Sequence, residues 1–279
     1  MATLFIPIMH QYNAFIAFPA IRVLGYSSSM QDSLTVKQAG TPLAEKSTID
    51  EIRARFDNEV ERFSRLETGQ QATLDAPLVL ELVAKTAATH LRPGNVMLDL
   101  GCGAGNFTLR VLQEVHPLHC HLVDLSNPML ERAHARIQAA GVASVFLYQT
   151  DLRRLDFASD SFDCILAGTV LHHLRDEADW ERVFAQLHRW LKPRGRLYVA
   201  DLVVFDAPAV QELMWSRFGR YLESLGGTAY REKVFDYIDM EDSPRSLPFQ
   251  LELLRRVGFL QYDVLHRNGV SACFFATKS

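Results

Sequence analysis

Cysteine is scarce in this chain, and so are long apolar runs and excess positive charge. Four cysteines, Cys102, Cys120, Cys164 and Cys273, are scattered over 279 residues with no CxxC pair. Such usage excludes a disulfide framework and fits a reducing cytoplasm. No apolar run reaches the roughly 20 residues that a bilayer crossing needs, so no membrane partner is expected. Lys and Arg number 29 against 33 Asp and Glu, a net charge of −4, and no block of like charges occurs. A protein that grips polyphosphate by charge is basic over at least one face, which disfavours nucleic acid as a partner. Internal repeats and low-complexity segments are also lacking. What remains is an ordinary globular composition, 48% hydrophobic and 22% charged, long enough for one large domain or two small ones.

The start of the chain departs from that picture. Residues 1–25 are apolar and aromatic, but the first basic side chain is Arg22, and Pro7 and Pro19 interrupt the run. A signal peptide carries its positive charge before the apolar stretch. A poor targeting segment, an arm packed on the surface, or a true start at Met30 are the readings left, and the third is preferred. Residues 31–46 are polar and read as a tail, so residues 1–46 form an N-terminal arm or tail and residues 47–279 the main domain.

Thr48 and Glu51 form a capping-box signature, and Ile49, Ile52, Phe56, Val60 and Phe63 recur at helical spacing up to Leu66. Asp75-Ala76-Pro77 opens a second helix. Strands at 96–100, 120–124, 145–148, 162–167 and 196–202 then alternate with helices at 107–115, 128–140 and 179–191. A turn, Lys192-Pro193-Arg194-Gly195, precedes the fifth strand. This alternation predicts an α/β fold with a mostly parallel sheet and helices on both faces. A segment at about 203–247 breaks the pattern as a lid-like insert: a helix from Asp206 and Pro208, ended by Gly226-Gly227, then an acidic stretch with Asp236, Asp239, Glu241 and Asp242 that could attract a cationic substrate but reads first as a solvated loop. A helix at 249–257 follows. Two short runs, 261–265 and 272–276, separated by Asn268-Gly269, predict a closing hairpin.

The informative stretch is Leu98-Asp99-Leu100-Gly101-Cys102-Gly103-Ala104-Gly105, a strand end running into a glycine loop. Glycines there let the backbone turn sharply and approach a ligand with no Cβ in the way. A dinucleotide fingerprint, GxGxxG, would need glycine where Asn106 stands, which counts against a dehydrogenase. Asp124 ends the second strand, where a carboxylate can accept hydrogen bonds from a ribose diol; a helix cap is its alternative role. Asp151 follows the third strand, where it can accept from an adenine amino group.

With the strand 162–166 and Leu191-Lys192-Pro193-Arg194-Gly195-Arg196-Leu197, these pieces resemble, in order, the class I S-adenosylmethionine-dependent methyltransferases, from about residue 56 to the end. The resemblance implies a Rossmann-like seven-stranded sheet, mostly parallel with an antiparallel last strand. It implies S-adenosylmethionine as cofactor: Asp99, Gly101, Cys102, Gly103 and Gly105 along its methionine and ribose, Asp124 with Leu125 at the ribose, Asp151 and Leu152 beside the adenine, and Ala167 to Thr169 near the methionine end. The N-terminal helix and long insert are also faintly similar to the enzyme that makes carboxy-S-adenosylmethionine for transfer RNA modification. The standard glycine loop speaks against that variant, although Arg231 or Lys233 could meet a carboxylate. A binding protein that keeps the fold without turnover is the alternative from another class.

Methyl transfer from a sulfonium is an in-line displacement that needs alignment more than a fixed catalytic residue. His172 and His173, after the fourth strand, are the candidates for proton transfer, the plainer reading being that one caps the next helix. A small-molecule acceptor is expected under an aromatic cover, with Phe56, Trp215, Tyr221 and Tyr230 as candidate substrate residues; the alternative is that such residues form core or a dimer face. No metal site is expected: His116, His119, Cys120 and His121 are loosely spaced, and alternate residues of a strand face opposite ways.

Overall fold

A computed structural model describes residues 41–65 and 70–279. The apolar run at 1–25 and the start at Met30 lie outside the described residues.

Seven strands form one sheet in the order β3-β2-β1-β4-β5-β7-β6. They are β1 (Val96–Leu100), β2 (His119–Asp124), β3 (Ser144–Gln149), β4 (Phe162–Gly168), β5 (Leu191–Leu202), β6 (Gln261–Asn268) and β7 (Ser271–Thr277). Strands β1 to β5 pair in parallel, and β7 runs antiparallel to both β5 and β6. This is the expected class. The hairpin turns at Gly269, whose φ of +54° suits glycine.

Strand periodicity divides the core. Leu98 and Leu100 face one side of the sheet, with Trp180, Phe184 and Trp190 of the helix Glu177–Trp190; Met97 faces the other. Both faces are covered, so the central strands read as near-continuous apolar runs. Eight helices are described: α1 (Ile49–Asp57), α2 (Val60–Ser64), α3 (Ala76–Ala88), α4 (Asn106–Leu112), α5 (Asn127–Ala139), α6 (Glu177–Trp190), α7 (Pro208–Glu241) and α8 (Leu247–Val257). The Thr48–Glu51 capping box is formed, but the predicted first helix breaks at Asn58 and Glu59 into two.

Three other expectations are corrected. Residues 41–46, read as tail, are fastened to the insert: Thr41 donates to Asp239 through its N–H and its hydroxyl, and Lys46 Nζ donates to the Asp239 and Asp242 carbonyls. The Lys192–Gly195 turn is an irregularity inside β5, where pairing jumps from Phe162↔Leu191 to Cys164↔Arg196. Lastly, Gly226-Gly227 does not end the insert's helix. Gly227, at φ +73° and ψ −175°, bends it, and the second arm runs on to Glu241. The acidic stretch is therefore helical, and Glu241 and Asp242 are buried. The arms pack on each other through Trp215, Phe218 and Phe235, with ring centroids 5.5 to 6.0 Å apart.

Candidate active site

Strand order reverses at β1, which pairs with β2 on one side and β4 on the other. Ligand crevices open beyond the carboxyl ends of strands at such a point. A cavity lies there. Its floor is the glycine loop with the ends of β2 and β4, and its cover is α1, α2 and α7.

The loop is shaped by glycine. Gly101, Gly103 and Gly105 have φ of +61°, +49° and +83°. A Cβ on Gly101 would stand 2.5 Å from Val170 Cγ2, whereas nothing lies within 4 Å of one on Gly103, which lines the cavity. Asp124 reaches across: Oδ2 accepts from Gly103 N–H at 2.8 Å and Oδ1 from Ser126 N–H at 2.9 Å. Burial pushes its pKa up against these backbone hydrogen bonds. The cap of α5 is Ser126, so Asp124 is not the helix cap.

Asp99 lies behind the loop. Its carboxylate is buried, accepts from the Thr108 hydroxyl at 2.6 Å, and is pushed by burial to a pKa of about 7. Cys102, Leu125, Asp151, Leu152 and Thr169 line the cavity with Gly101, Gly103 and Asp124; Asp99, Gly105 and Ala167 stand behind its wall. Both Asp151 oxygens are engaged by Arg153, at 2.9 and 3.1 Å from Nε. Burial raises the Asp151 pKa, but Arg153 outweighs it and holds the group below its ordinary value.

At the opposite end, a 3-10 turn after β4 carries His172 and His173. His172 Nδ1 bonds to Asp201 Oδ1, and Asp201 Oδ2 accepts from Leu171 N–H at 2.8 Å and from His172 N–H at 3.2 Å. Asp242 approaches from the end of α7, 3.7 Å from His172 Nε2 and 3.2 Å from His173 Nδ1. Burial lowers the His172 pKa, but the Asp201 and Asp242 carboxylates outweigh it and hold it at about 9. Neither histidine caps α6, whose cap is Asp176.

The cover separates the candidate substrate residues. Phe56 lines the cavity, its ring centroid 6.0 Å from that of His173. Trp215, Tyr221 and Tyr230 are partly buried against the apolar cluster of α7 and are not among the cavity-lining residues. The wall is built instead from Phe63, Phe218, Val234, Tyr237 and Ile238. Arg231 is paired with Glu223 at 2.6 Å.

Sequence reasoning missed Asp201, the place of Asp242 beside the two histidines, and the contacts of Asn106. Asp201 had a signal: a carboxylate closing the strand Val199-Ala200-Asp201 at the same sheet edge. Asp242 was hidden by the loop reading. Asn106 was used only as a missing glycine, yet its Nδ2 donates to the Phe63 carbonyl at 3.0 Å and its Oδ1 accepts from Arg136 at 3.0 Å.

Residues 97–195 match the family described as a methyltransferase domain. The chain is 26% identical over 195 residues to a demethylmenaquinone methyltransferase of Listeria monocytogenes, covering 68% of this chain and 80% of the relative. In fold it is similar to an O-methyltransferase family protein from Burkholderia thailandensis, with a TM-score of 0.57 at 18% identity over 87% of this chain and 65% of that one. It is also similar to a Haemonchus contortus phosphoethanolamine N-methyltransferase 2 solved with phosphomonomethylethanolamine and S-adenosylhomocysteine, with a TM-score of 0.56 at 16% identity over 83% of this chain and 60% of that one. Residues 97–195 thus carry the match to a methyltransferase domain, and the sheet order agrees with the Rossmann-like fold of these solved structures.

Proposed function

We propose that this chain binds S-adenosylmethionine against the glycine loop and methylates a small, largely apolar acceptor held beneath α7. The carrying observation is one cavity that joins Gly101, Gly103 and Asp124 at one end to His172, His173 and an aromatic wall at the other.

The residues present fit the cofactor. The open space beside Gly103 admits a ligand close to the backbone, and Asp124 offers carboxylate lone pairs to a diol beside those already used by Gly103 and Ser126. Asp151 fits the adenine amino group less directly, because Arg153 takes both its oxygens; Leu125 and Leu152 supply apolar walls instead. Bound there, the cofactor supplies a methyl group already activated on sulfur.

The protein's part is alignment and exclusion of water. Phe56, Phe63, Phe218 and Tyr237 give the acceptor end an apolar lining in which a ring packs well. The name of the Listeria relative supports a quinol-like ring as acceptor. His172 is held by Asp201 with Asp242 beside it, and the two carboxylates raise its pKa against burial, so its part is to orient the turn. His173, which lines the cavity beside Phe56, is the better candidate to meet an acceptor's hydroxyl. Four free, buried cysteines accord with a reducing cytoplasm.

Calorimetry with S-adenosylmethionine, S-adenosylhomocysteine and NAD tests the cofactor, and transfer of labelled methyl to hydroxylated aromatic and quinol acceptors tests the reaction. Binding of NAD with no response to S-adenosylmethionine would overturn the reading. Cofactor binding with no transfer to any acceptor would favour a binding protein without turnover.

A further inference from the structure

We infer that His172, His173 and Asp242 form a binding site for one divalent transition-metal cation of the zinc class, with an open coordination position facing the cavity.

One ligand atom from each residue lies within 4.8 Å of the others. Asp242 Oδ1 is 3.2 Å from His173 Nδ1 and 3.7 Å from His172 Nε2. Zinc–nitrogen and zinc–oxygen bonds of about 2.0–2.2 Å put tetrahedral ligands roughly 3.3–3.6 Å apart, so these two edges need little adjustment. The donor set, two imidazoles and one carboxylate, suits a borderline cation and leaves a fourth position free.

Two independent observations support a ligand there. Asp242 Oδ1 and His173 Nδ1 are buried, face each other at 3.2 Å, and have no hydrogen-bond partner outside that contact. A cation bound by both would satisfy the two polar atoms together. The second observation is the outer shell. His172 Nδ1 is bonded to Asp201, which also accepts from the Leu171, His172 and Leu202 N–H groups. Fixing Nδ1 as the protonated nitrogen leaves the Nε2 lone pair for a metal, the carboxylate–histidine–metal arrangement of many such sites. A proton on His172 and a metal ion are alternative occupants, and the two carboxylates favour either cation over none.

A metal with an open position lowers the pKa of a bound hydroxyl and fixes its oxygen. That role in generating the methyl acceptor's nucleophile rests on the methyltransferase reading; the binding site itself does not.

The test is metal uptake by chelator-treated full-length protein, with Zn2+ followed by calorimetry and elemental analysis, and Co2+ followed by its visible spectrum. The expected result is one equivalent per chain with micromolar or tighter affinity. Asp242→Asn and His173→Gln should each weaken binding more than tenfold, and Asp201→Asn about 10- to 100-fold with stoichiometry unchanged. Thermal melting and S-adenosylmethionine binding check that each variant folds. Absence of uptake by the wild type overturns the site, as does uptake that these folded variants leave unchanged. Metal uptake without S-adenosylmethionine binding would keep this site and defeat the methyltransferase reading; methyl transfer by metal-free protein that takes up no Zn2+ would do the reverse.

Discussion

Asn106 and Phe63 join the floor of the cavity to its cover. Asn106 Nδ2 donates to the Phe63 carbonyl at 3.0 Å, and Asn106 itself is 5% exposed at the first turn of α4. The residue that departs from a dinucleotide fingerprint is thus the one that fastens α2 over the glycine loop, with Arg136 steadying its other end.

Asn106→Ala should leave the fold intact and loosen the cover. Losing this bond costs about 1–3 kcal/mol locally, because the partners are left short of a bond. Hydrogen exchange at residues 60–65 should speed up and S-adenosylmethionine should dissociate faster. Unchanged exchange in α2 would mean that the contact contributes nothing.

Asp99 predicts a pH dependence. Its folded-state pKa of about 7 lies above the ordinary carboxyl value of 3.8, because burial disfavours the anion. The folded state therefore holds a proton that the unfolded state releases, and stability falls as pH rises through that window, by up to about 1.4 kcal/mol per unit. Asp99→Asn keeps an acceptor for Thr108 and removes this slope. Denaturant titrations at pH 5 and pH 8 should show the variant gaining on the wild type at the higher pH. A constant difference between the two proteins would show that Asp99 is not the group responsible.

Much of the fold is legible in the sequence, for a physical reason. Strands buried on both faces cannot hide their apolar runs, and β1 falls on the predicted residues. Glycines with positive φ announce a loop. The second arm of α7 was hidden because Gly226-Gly227 reads as a helix end, and local sequence cannot tell a bend from a stop. Val234 and Ile238, four apart, with Tyr237, carried the helical signal against the acidic residues around them. The Asp201–His172–Asp242 grouping was not legible, since it joins β5, the turn after β4 and the end of α7 across up to 70 residues of sequence.

Trp215 and Tyr237 separate packing from substrate contact in the cover. Its ring packs on Phe218 and Phe235 between the arms of α7. Trp215→Ala should lower stability by roughly 2–5 kcal/mol with cofactor affinity nearly unchanged after correction for unfolded protein. Tyr237→Ala, at the cavity wall, should raise the acceptor's KM more than it lowers the melting temperature. The opposite pattern for the two variants would make Trp215 the substrate residue and Tyr237 the packing one.

Asp124→Ala should weaken S-adenosylmethionine binding about 10- to 150-fold, the worth of one lost hydrogen bond to a charged group. Stability should also fall, since Gly103 N–H and Ser126 N–H both lose their acceptor. Asp124→Asn keeps one acceptor oxygen and should fall between. Calorimetry and melting curves on both variants decide, and affinity within about twofold of wild type, under 0.5 kcal/mol, would sink the ribose assignment.

Two glycines of one loop separate a folding function from a binding function. Gly101 and Gly103 both have positive φ, so alanine at either costs about 1–2 kcal/mol in backbone conformation. Their surroundings differ. A Cβ at position 101 meets Val170 Cγ2 at 2.5 Å and Cβ at 2.7 Å, in a core that cannot yield that far. Overpacking adds about 1–3 kcal/mol, so Gly101→Ala should be poorly folded or melt far below wild type. A Cβ at position 103 meets nothing within 4 Å, so Gly103→Ala should fold with only the backbone cost. Its added methyl instead occupies space where a ligand would approach the loop. S-adenosylmethionine affinity should drop more than tenfold in a protein whose melting temperature has moved by a few degrees. Calorimetry on folded Gly103→Ala reads this directly. Wild-type affinity there would place the cofactor elsewhere in the cavity, and a well-folded Gly101→Ala would show that the Val170 contact is not what requires glycine.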